Sequence, residues 1–140
     1  MRALLLDTNT LNYILKERQP AMDRLQKARG EGTQFLLASV AHHELTRYLE
    51  LKGAHRLLRL YRRMVEPWQQ CNLSFEDWDS ASLLWAELHR LGRSISDLDL
   101  LLATLARKQG AVLVTSNTQH FEDLGLVLED WTQPEAPSPV

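Results

Sequence analysis

Cysteine is nearly absent from this sequence, and so are long apolar runs and any excess of basic residues. The single Cys71 excludes an internal disulfide framework and a cysteine-rich zinc site, and it is typical of a reducing compartment. The formal net charge is -2, so nucleic acid could be bound only through a local basic patch. The first apolar run, residues 3–6, is too short for a signal peptide, and no run approaches the roughly 20 residues of a membrane span. We therefore expect a cytoplasmic protein without a membrane segment.

Short apolar runs alternate with amphipathic segments along the chain. Apolar runs at residues 2–6, 35–40 and 111–115 predict three clear strands, and weaker strands are predicted at 68–73 and 126–128. Segments with apolar residues at every third or fourth position predict helices between them. This alternation predicts an α/β fold with a central parallel sheet of four to five strands, covered by helices on both faces. We expect one domain over residues 1–132 and a flexible, proline-rich tail over residues 133–140.

Three acidic residues occur at positions where an ordinary surface acid is not expected. Asp7 ends the first apolar strand, Glu44 lies near the start of the helix after the second strand, and Asp99 lies in the first turn of an otherwise apolar helix. In a parallel sheet, the carboxyl ends of the strands and the starts of the following helices gather along one edge. We therefore predict that these acids meet in one pocket, with Asn117 at the same edge just after the third clear strand.

Carboxylates that meet in a pocket favour a bound cation, because each negative charge raises the pKa of its neighbours. Mg²⁺ prefers oxygen ligands and needs only one or two direct carboxylates when waters and phosphate oxygens complete its shell. The chemistry that fits is hydrolysis of a phosphodiester bond, with the metal positioning and deprotonating water. Simpler interpretations stay open, since Asp7 can cap a helix, Glu44 can be a solvated surface residue, and Asp97 and Asp99 both suit a helix dipole. Those two aspartates point about 200° apart on the helix, and the periodicity favours Asp99 only weakly.

The order of these motifs resembles that of PIN-domain proteins, in particular the VapC-type toxins. The opening residues 4–16, Leu-Leu-Leu-Asp-Thr-Asn-Thr-Leu-Asn-Tyr-Ile-Leu-Lys, are similar to the start of that family. Residues 39–48, 95–106 and 110–117 resemble its second, third and fourth motifs, and the closing residues 123–131 resemble its ending. The resemblance implies a three-layer α/β/α sandwich, Mg²⁺ or Mn²⁺ as cofactor, and endoribonuclease activity. It also implies a toxin that is neutralised by a cognate antitoxin, and a homodimer.

The resemblance also implies roles for individual acids. Asp7 and Asp99 would be the principal metal ligands, and Glu44 would complete the acidic cluster directly or through water. The apolar triplet and the Ala-Thr pair that follow Asp99 select it over Asp97. The fourth motif of the family often has an aspartate where this chain has Asn117. The asparagine keeps an oxygen ligand but lacks the negative charge, which argues against a second metal ion.

Further residues are predicted to contact the substrate. By the same resemblance, Asn9 would order the first loop, and Thr115 or Ser116 would hydrogen-bond to the acids or to a phosphate. Residues 47–63 contain six lysines and arginines against the single acid Glu50, and Arg47 is predicted to contact RNA because phosphates attract arginine regardless of base sequence. A solvated helix face, or a surface for an acidic partner, explains the same charge run.

Two other functions compete with a metal-dependent nuclease. The residues Asp7 to Thr10 loosely resemble the Asp-x-Asp-x-Thr opening of haloacid-dehalogenase-type phosphatases, but Asn9 replaces the second aspartate and no lysine follows Thr115. A PIN-like RNA- or protein-binding module without catalysis is the main alternative, and the presence of all three acids argues against it. His42 and His43 are interpreted as first-turn helix residues, because a zinc site would need more histidine or cysteine at ligand spacing.

Overall fold

Five parallel strands form the central sheet of the computed structural model, which describes residues 2–136. The strands are β1 (Ala3–Leu6), β2 (Gln34–Ala38), β3 (Gln69–Cys71), β4 (Val112–Val114) and β5 (Leu128–Glu129). Their order across the sheet is β3-β2-β1-β4-β5, so that β1 lies in the middle and pairs with β2 on one side and β4 on the other. This position explains the continuous apolar sequence of β1, because a central parallel strand is covered on both faces.

Six α-helices connect the strands and cover the sheet. They are α1 (Thr8–Leu15), α2 (Ala21–Gly30), α3 (Ser39–Leu51), α4 (His55–Val65), α5 (Phe75–Arg90) and α6 (Asp97–Gln109), and a short 3₁₀ helix spans Thr118–Phe121. The predicted three-layer α/β/α sandwich is confirmed, with five strands in the sheet. Within residues 2–136, every helix is too short or too polar to cross a membrane.

Side-chain caps define the helix starts that matter for the site. The Asp7 side chain accepts a hydrogen bond from the backbone N–H of Thr10 and caps α1. The Ser96 hydroxyl accepts one from the backbone N–H of Asp99 and caps α6. Each cap satisfies a backbone donor that has no partner inside its helix. As a result, α1 and α6 each begin with an acidic residue at or within the first turn.

The boundary between β2 and α3 differs from the sequence prediction. Ser39 and Val40 were expected to continue the strand, but the strand ends at Ala38 and both residues belong to the first turn of α3. Ala38 keeps an extended backbone conformation and serves as the N-cap without a side-chain hydrogen bond. The helix therefore starts directly at the carboxyl end of β2, and its first turn lies at the edge of the sheet where the acids were predicted to meet.

The last strand is also displaced from its predicted position. It consists of Leu128–Glu129 rather than residues 126–128. A glutamate fits in this edge strand because its carboxylate is bound by the side chains of Arg2, Arg24 and the indole N–H of Trp131. Hydrophobic patterning cannot detect such a strand, since its polar member is stabilised by partners far away in the sequence.

The carboxyl-terminal segment was predicted to be a flexible tail over residues 133–140, of which 137–140 lie outside the described residues. The backbone carbonyl of Gln133 accepts a hydrogen bond of 3.2 Å from Arg24 in α2. Glu135 forms an ion pair with Lys27 in the same helix. The domain end near residue 132 stays a prediction, and these two contacts show that the start of the tail lies against α2.

Candidate active site

Asp7 lies at the carboxyl end of the central strand and is almost completely buried. Its side chain is 7% exposed, and its carboxylate accepts a hydrogen bond of 2.8 Å from the backbone N–H of Thr10. Burial raises the pKa of Asp7, and the nearby negative charge of Asp99 raises it further, whereas Thr115 and Thr10 act in the opposite direction without cancelling the effect. Asp7 is therefore an acid that the protein itself leaves without a compensating positive charge.

Asp99 approaches the same edge from α6. Its carboxylate oxygen Oδ2 lies 3.3 Å from Nδ1 of His120, which belongs to the 3₁₀ helix after β4. The Asp99 side chain is about a quarter exposed, while that of His120 is mostly exposed. The contact joins the third predicted motif to the 3₁₀ helix that follows the fourth, and it involves one carboxylate oxygen of Asp99 and leaves the other for a ligand.

Glu44 and Asp99 line one cavity of about 480 Å³, which we call the acidic cavity. Its wall is formed by α1, α3 and α6 and consists of Thr8, Asn9, Asn12, Glu44, Leu45, Tyr48 and Asp99. Asp97 does not belong to this wall, because it lines a different cavity with Trp78 and Trp85. Helix periodicity favoured Asp99 over Asp97 only weakly. The packing of α6 separates them, because Asp99 lines the acidic cavity and Asp97 lines the other one.

Two buried polar atoms in residues that line the acidic cavity have no hydrogen-bond partner within residues 2–136. They are the hydroxyl oxygen of Thr8 and the side-chain oxygen Oδ1 of Asn12. Unpartnered buried oxygens are costly, by about 1–3 kcal/mol each, and they occur where a ligand or water completes the site. Both side chains lie on α1, four residues apart, and therefore on the same face of that helix.

The donor atoms of the acidic cavity fit a hard cation. Its carboxylates, hydroxyl and amide groups offer oxygen ligands, which are the ligands that Mg²⁺ and Mn²⁺ prefer. Among residues 2–136, no three acidic, histidine or cysteine side chains are close enough to hold a metal ion by themselves. These oxygen donors suit an ion that takes one or two protein carboxylates and completes its shell with water and substrate oxygens.

The remaining predicted residues take different positions. Asn9 lines the acidic cavity. Thr115 is completely buried at the end of β4, and its hydroxyl accepts a hydrogen bond of 3.0 Å from the backbone N–H of Asn117. Within the described part of the chain, the wall of the acidic cavity does not include Ser116, Asn117 or Arg47, and both Asn117 and Arg47 are exposed. The structure thus brings Asn9 into the wall that Glu44 and Asp99 share and places Thr115 next to Asp7, whose own side chain is buried behind that wall.

Three residues of the site were not identified from the sequence. Asn12 and Tyr48 line the acidic cavity, and His120 contacts Asp99. A signal existed for Asn12, since it is a polar residue one helical turn after Thr8 on a helix whose neighbouring positions Leu11 and Ile14 are buried. His120 had no comparable signal, because its contact joins residues that are 21 positions apart.

Comparisons with known proteins agree with this geometry. The PIN domain family matches residues 4–126 of the chain. The tRNA(fMet)-specific endonuclease VapC of Shigella flexneri is 31% identical over 140 residues, which cover 94% of this chain and 100% of that protein. The structure of DNA-bound VapBC from Salmonella typhimurium is similar with a TM-score of 0.81 and 25% identity, over 94% of this chain and 99% of that one. VapBC2 from Rickettsia felis bound to a promoter DNA fragment has a TM-score of 0.82 and 23% identity, over 92% and 98% of the two chains.

The family match and the match to the relative both cover most of the chain. The family match begins inside β1 and ends shortly before β5, so it includes all three acids. The relative from Shigella flexneri is aligned over its entire length. This chain belongs to the PIN-domain family and, within it, to the VapC-type proteins.

Proposed function

We propose that this protein is a metal-dependent endoribonuclease that acts as the toxin of a toxin–antitoxin pair. The observation that supports this most is the acidic cavity, where Glu44 and Asp99 face the same space beside the buried Asp7. The name of the Shigella flexneri relative, a tRNA(fMet)-specific endonuclease, supports RNA as the substrate. We infer hydrolysis of an RNA phosphodiester bond.

In this proposal, Asp7, Asp99 and Glu44 hold Mg²⁺ or Mn²⁺, with Glu44 acting directly or through water. When bound, the ion would supply Lewis-acid chemistry that lowers the pKa of water and offsets negative charge on the phosphate. The raised pKa of Asp7, which results from its burial, supports this assignment because a cation would favour its charged form. The unpartnered oxygens of Thr8 and Asn12 lie behind the same wall, on the helix that Asp7 caps.

The protein itself positions these groups before substrate binds. The Thr10 backbone N–H fixes Asp7, and His120 fixes one oxygen of Asp99, so that neither carboxylate has to be ordered on binding. We assign Asn9 to the substrate because it lines the acidic cavity. Thr115, Ser116, Asn117 and Arg47 are proposed as further contacts to the acids or to the phosphate backbone.

The proposed partners are a cognate antitoxin and a second copy of the chain. The neighbour from Salmonella typhimurium is a VapBC assembly, which supports an antitoxin for this protein as well. Helix α5 exposes several large apolar side chains, and such patches are typical of protein–protein contacts; they are Phe75, Trp78, Leu83 and Trp85. A homodimer is the assembly that the family resemblance implies.

The test is cleavage of a purified tRNA mixture by the wild-type protein and by two matched variants. We expect cleavage with Mg²⁺ and no cleavage with EDTA. Asp99→Asn removes a proposed ligand and should lower the rate by about 100-fold or more. Asp97→Asn makes the same chemical change two residues away, in the wall of another cavity, and should leave the rate within about twofold because it touches no reacting group.

Two outcomes would contradict the proposal. Cleavage that persists in EDTA would exclude the metal-dependent mechanism, and equal activity of the Asp99→Asn and Asp97→Asn variants would exclude the acidic cavity as its site. A wild-type protein that binds RNA with Mg²⁺ present but never cleaves it would support the alternative of a binding module without catalysis.

A further inference from the structure

A second polar cavity lies next to the acidic cavity on the other side of α3. Its volume is about 550 Å³, and it lies where β2 and β3 end and where α4 ends. The polar side chains of its wall are Ser39, His42, Arg62, Arg63, Glu66, Gln70 and Asn72. We call it the Arg62 cavity. None of the functions assigned above uses it.

The charge of this cavity is positive. Arg62 and Arg63 outnumber the single acid Glu66, and neither arginine forms an ion pair with any residue in the range 2–136. The cavity wall therefore presents two guanidinium groups and one carboxylate, and within the described residues neither guanidinium is held in an ion pair. Guanidinium groups in this state bind the oxygens of phosphate or carboxylate groups with two parallel hydrogen bonds.

His42 adds a neutral hydrogen-bond donor. Its Nδ1 lies 2.6 Å from the hydroxyl of Tyr61, which is completely buried. Burial raises the pKa of Tyr61 to about 12, so the hydroxyl keeps its proton and needs an acceptor. We infer that it donates to Nδ1, which leaves the proton of the neutral imidazole on Nε2 as a donor for a ligand.

The start of α3 contributes further donors to the same region. Its N-cap, Ala38, has no side-chain acceptor, and its first turn contains no acidic residue. The free backbone N–H groups of a helix of 13 residues favour a bound anion, and Ser39, the first residue of the helix, lies in the cavity wall. Two arginines, a histidine N–H and a helix start therefore surround one space.

The position of the cavity indicates which anion it binds. Helix α3 separates it from the acidic cavity: Ser39 and His42 face the Arg62 cavity, whereas Glu44 and Tyr48 face the acidic one. These residues lie two to nine positions apart, which is about 3–14 Å along the helix axis. One RNA strand can span this distance, since its backbone presents a phosphate at every nucleotide.

We propose that the Arg62 cavity is a second RNA-binding subsite, which holds a phosphodiester of the substrate beside the bond that is cleaved. This proposal rests on the proposed ribonuclease function. In this proposal, the basic residues at the end of α4 bind the substrate and are not simply a solvated helix face. An acidic peptide segment of a partner protein is the competing occupant, and the experiment below separates the two.

The experiment measures binding of a fluorescein-labelled, unstructured 12-nucleotide RNA in EDTA, so that no cleavage occurs. The test variant is the Arg62→Gln/Arg63→Gln double substitution. The control is Arg29→Gln/Arg107→Gln, which makes the same charge change in the last turns of α2 and α6, at the opposite edge of the sheet. We expect the Kd of the test variant to rise about tenfold over that of the control, through the loss of charge-assisted hydrogen bonds to phosphate.

The dependence on salt concentration supplies a second readout. For single strands, the slope of log K against log salt concentration falls by about 0.7 for each phosphate contact that is lost. We therefore expect a smaller slope for the Arg62→Gln/Arg63→Gln variant than for the control. Thermal unfolding of both variants verifies that these exposed substitutions leave the fold intact.

Equal RNA affinity and equal slopes for the two double variants would overturn the proposal. If, in addition, a fluorescent glutamate-rich decapeptide binds the wild type and the control but not the test variant, the cavity is a site for an acidic peptide instead. The proposed function is tested separately by cleavage with Mg²⁺. A wild type that binds RNA through Arg62 and Arg63 but never cleaves would contradict the ribonuclease and leave the subsite in place.

Discussion

Asp7 combines two roles that impose different demands on one side chain. As the N-cap of α1 it accepts the backbone N–H of Thr10, a role that an asparagine performs equally well. As a buried acid beside Asp99, it has a raised pKa, so its charged form destabilises the folded protein. A cap alone would not require this charge. The carboxylate is therefore explained by a ligand that it binds rather than by the stability of the helix.

The variant Asp7→Asn should stabilise the metal-free protein. The pKa of Asp7 is higher in the folded protein than in the unfolded chain. The free energy of unfolding therefore falls as the pH rises above the pKa of the unfolded chain, and this loss is present at neutral pH. Asparagine removes the charge but keeps the cap. We expect a gain of about 1 kcal/mol, or a rise in Tm of about 4 °C, measured by thermal unfolding at pH 7 in EDTA.

Addition of Mg²⁺ completes this test. Millimolar Mg²⁺ should raise the Tm of the wild type and should have no effect on the Tm of Asp7→Asn, because a ligand stabilises only the state that binds it. Asp79→Asn, an exposed acid of α5, serves as the control and should behave like the wild type. A lower Tm for Asp7→Asn in EDTA, together with an unchanged response to Mg²⁺, would show that Asp7 is a structural cap.

At the scale of secondary-structure elements, the carboxyl-terminal segment is joined to α2 by one arginine. Arg24 donates hydrogen bonds to the backbone carbonyls of Asp130 and Gln133, and its guanidinium lies 6.0 Å from the ring of Trp131. Trp131 itself is 1% exposed. The segment therefore includes a core residue at position 131 and surface contacts beyond it, while the domain end at residue 132 stays a prediction.

Two changes at this boundary should lower the free energy of unfolding by very different amounts. Removal of residues 133–140 loses the exposed ion pair of Glu135 with Lys27 and one hydrogen bond to Gln133, and should cost about 1 kcal/mol or less. Trp131→Ala in the full-length chain empties a buried position and should cost about 3–5 kcal/mol. Urea unfolding of both variants measures the two costs. Similar losses would place the domain boundary beyond residue 132.

At the scale of the whole molecule, the surface is divided by chemistry. The acidic and Arg62 cavities occupy one edge of the sheet on the two sides of α3. The side chains of Trp78 and Trp85 are about half exposed on α5, away from the acidic cavity, where they line a separate, mostly apolar cavity with Leu100 and Leu101 of α6. A surface of this kind favours contact with protein, because exposed tryptophan gains more from burial than any other side chain at an interface.

The purified protein should therefore form a homodimer. Light scattering after size-exclusion chromatography should give a mass of twice 16.1 kDa at micromolar concentration. The mass should be unaffected by EDTA, because the proposed contact is apolar and does not involve the metal ligands. A mass of 16.1 kDa at all concentrations tested would contradict the homodimer. It would indicate that the exposed face of α5 binds a different protein.

Local patterns in the sequence were sufficient for most of the fold. The apolar run at residues 2–6 predicted a strand from the local pattern alone, and β1 forms there, over Ala3–Leu6. The edge strand β5 was displaced, because Glu129 is stabilised by Arg2 and Arg24 from distant parts of the chain. Such partners leave no periodic signal.

The site divides in the same way. The sequence by itself determined that Asp7, Glu44 and Asp99 approach one edge, because strand ends and helix starts of a parallel sheet share it. Only the tertiary structure decided that Asp97 turns toward another cavity and that His120 joins Asp99. The physical reason is that a position along the chain follows from local hydrogen bonding and hydrophobic pattern, whereas the direction and partners of a side chain depend on how separate helices pack.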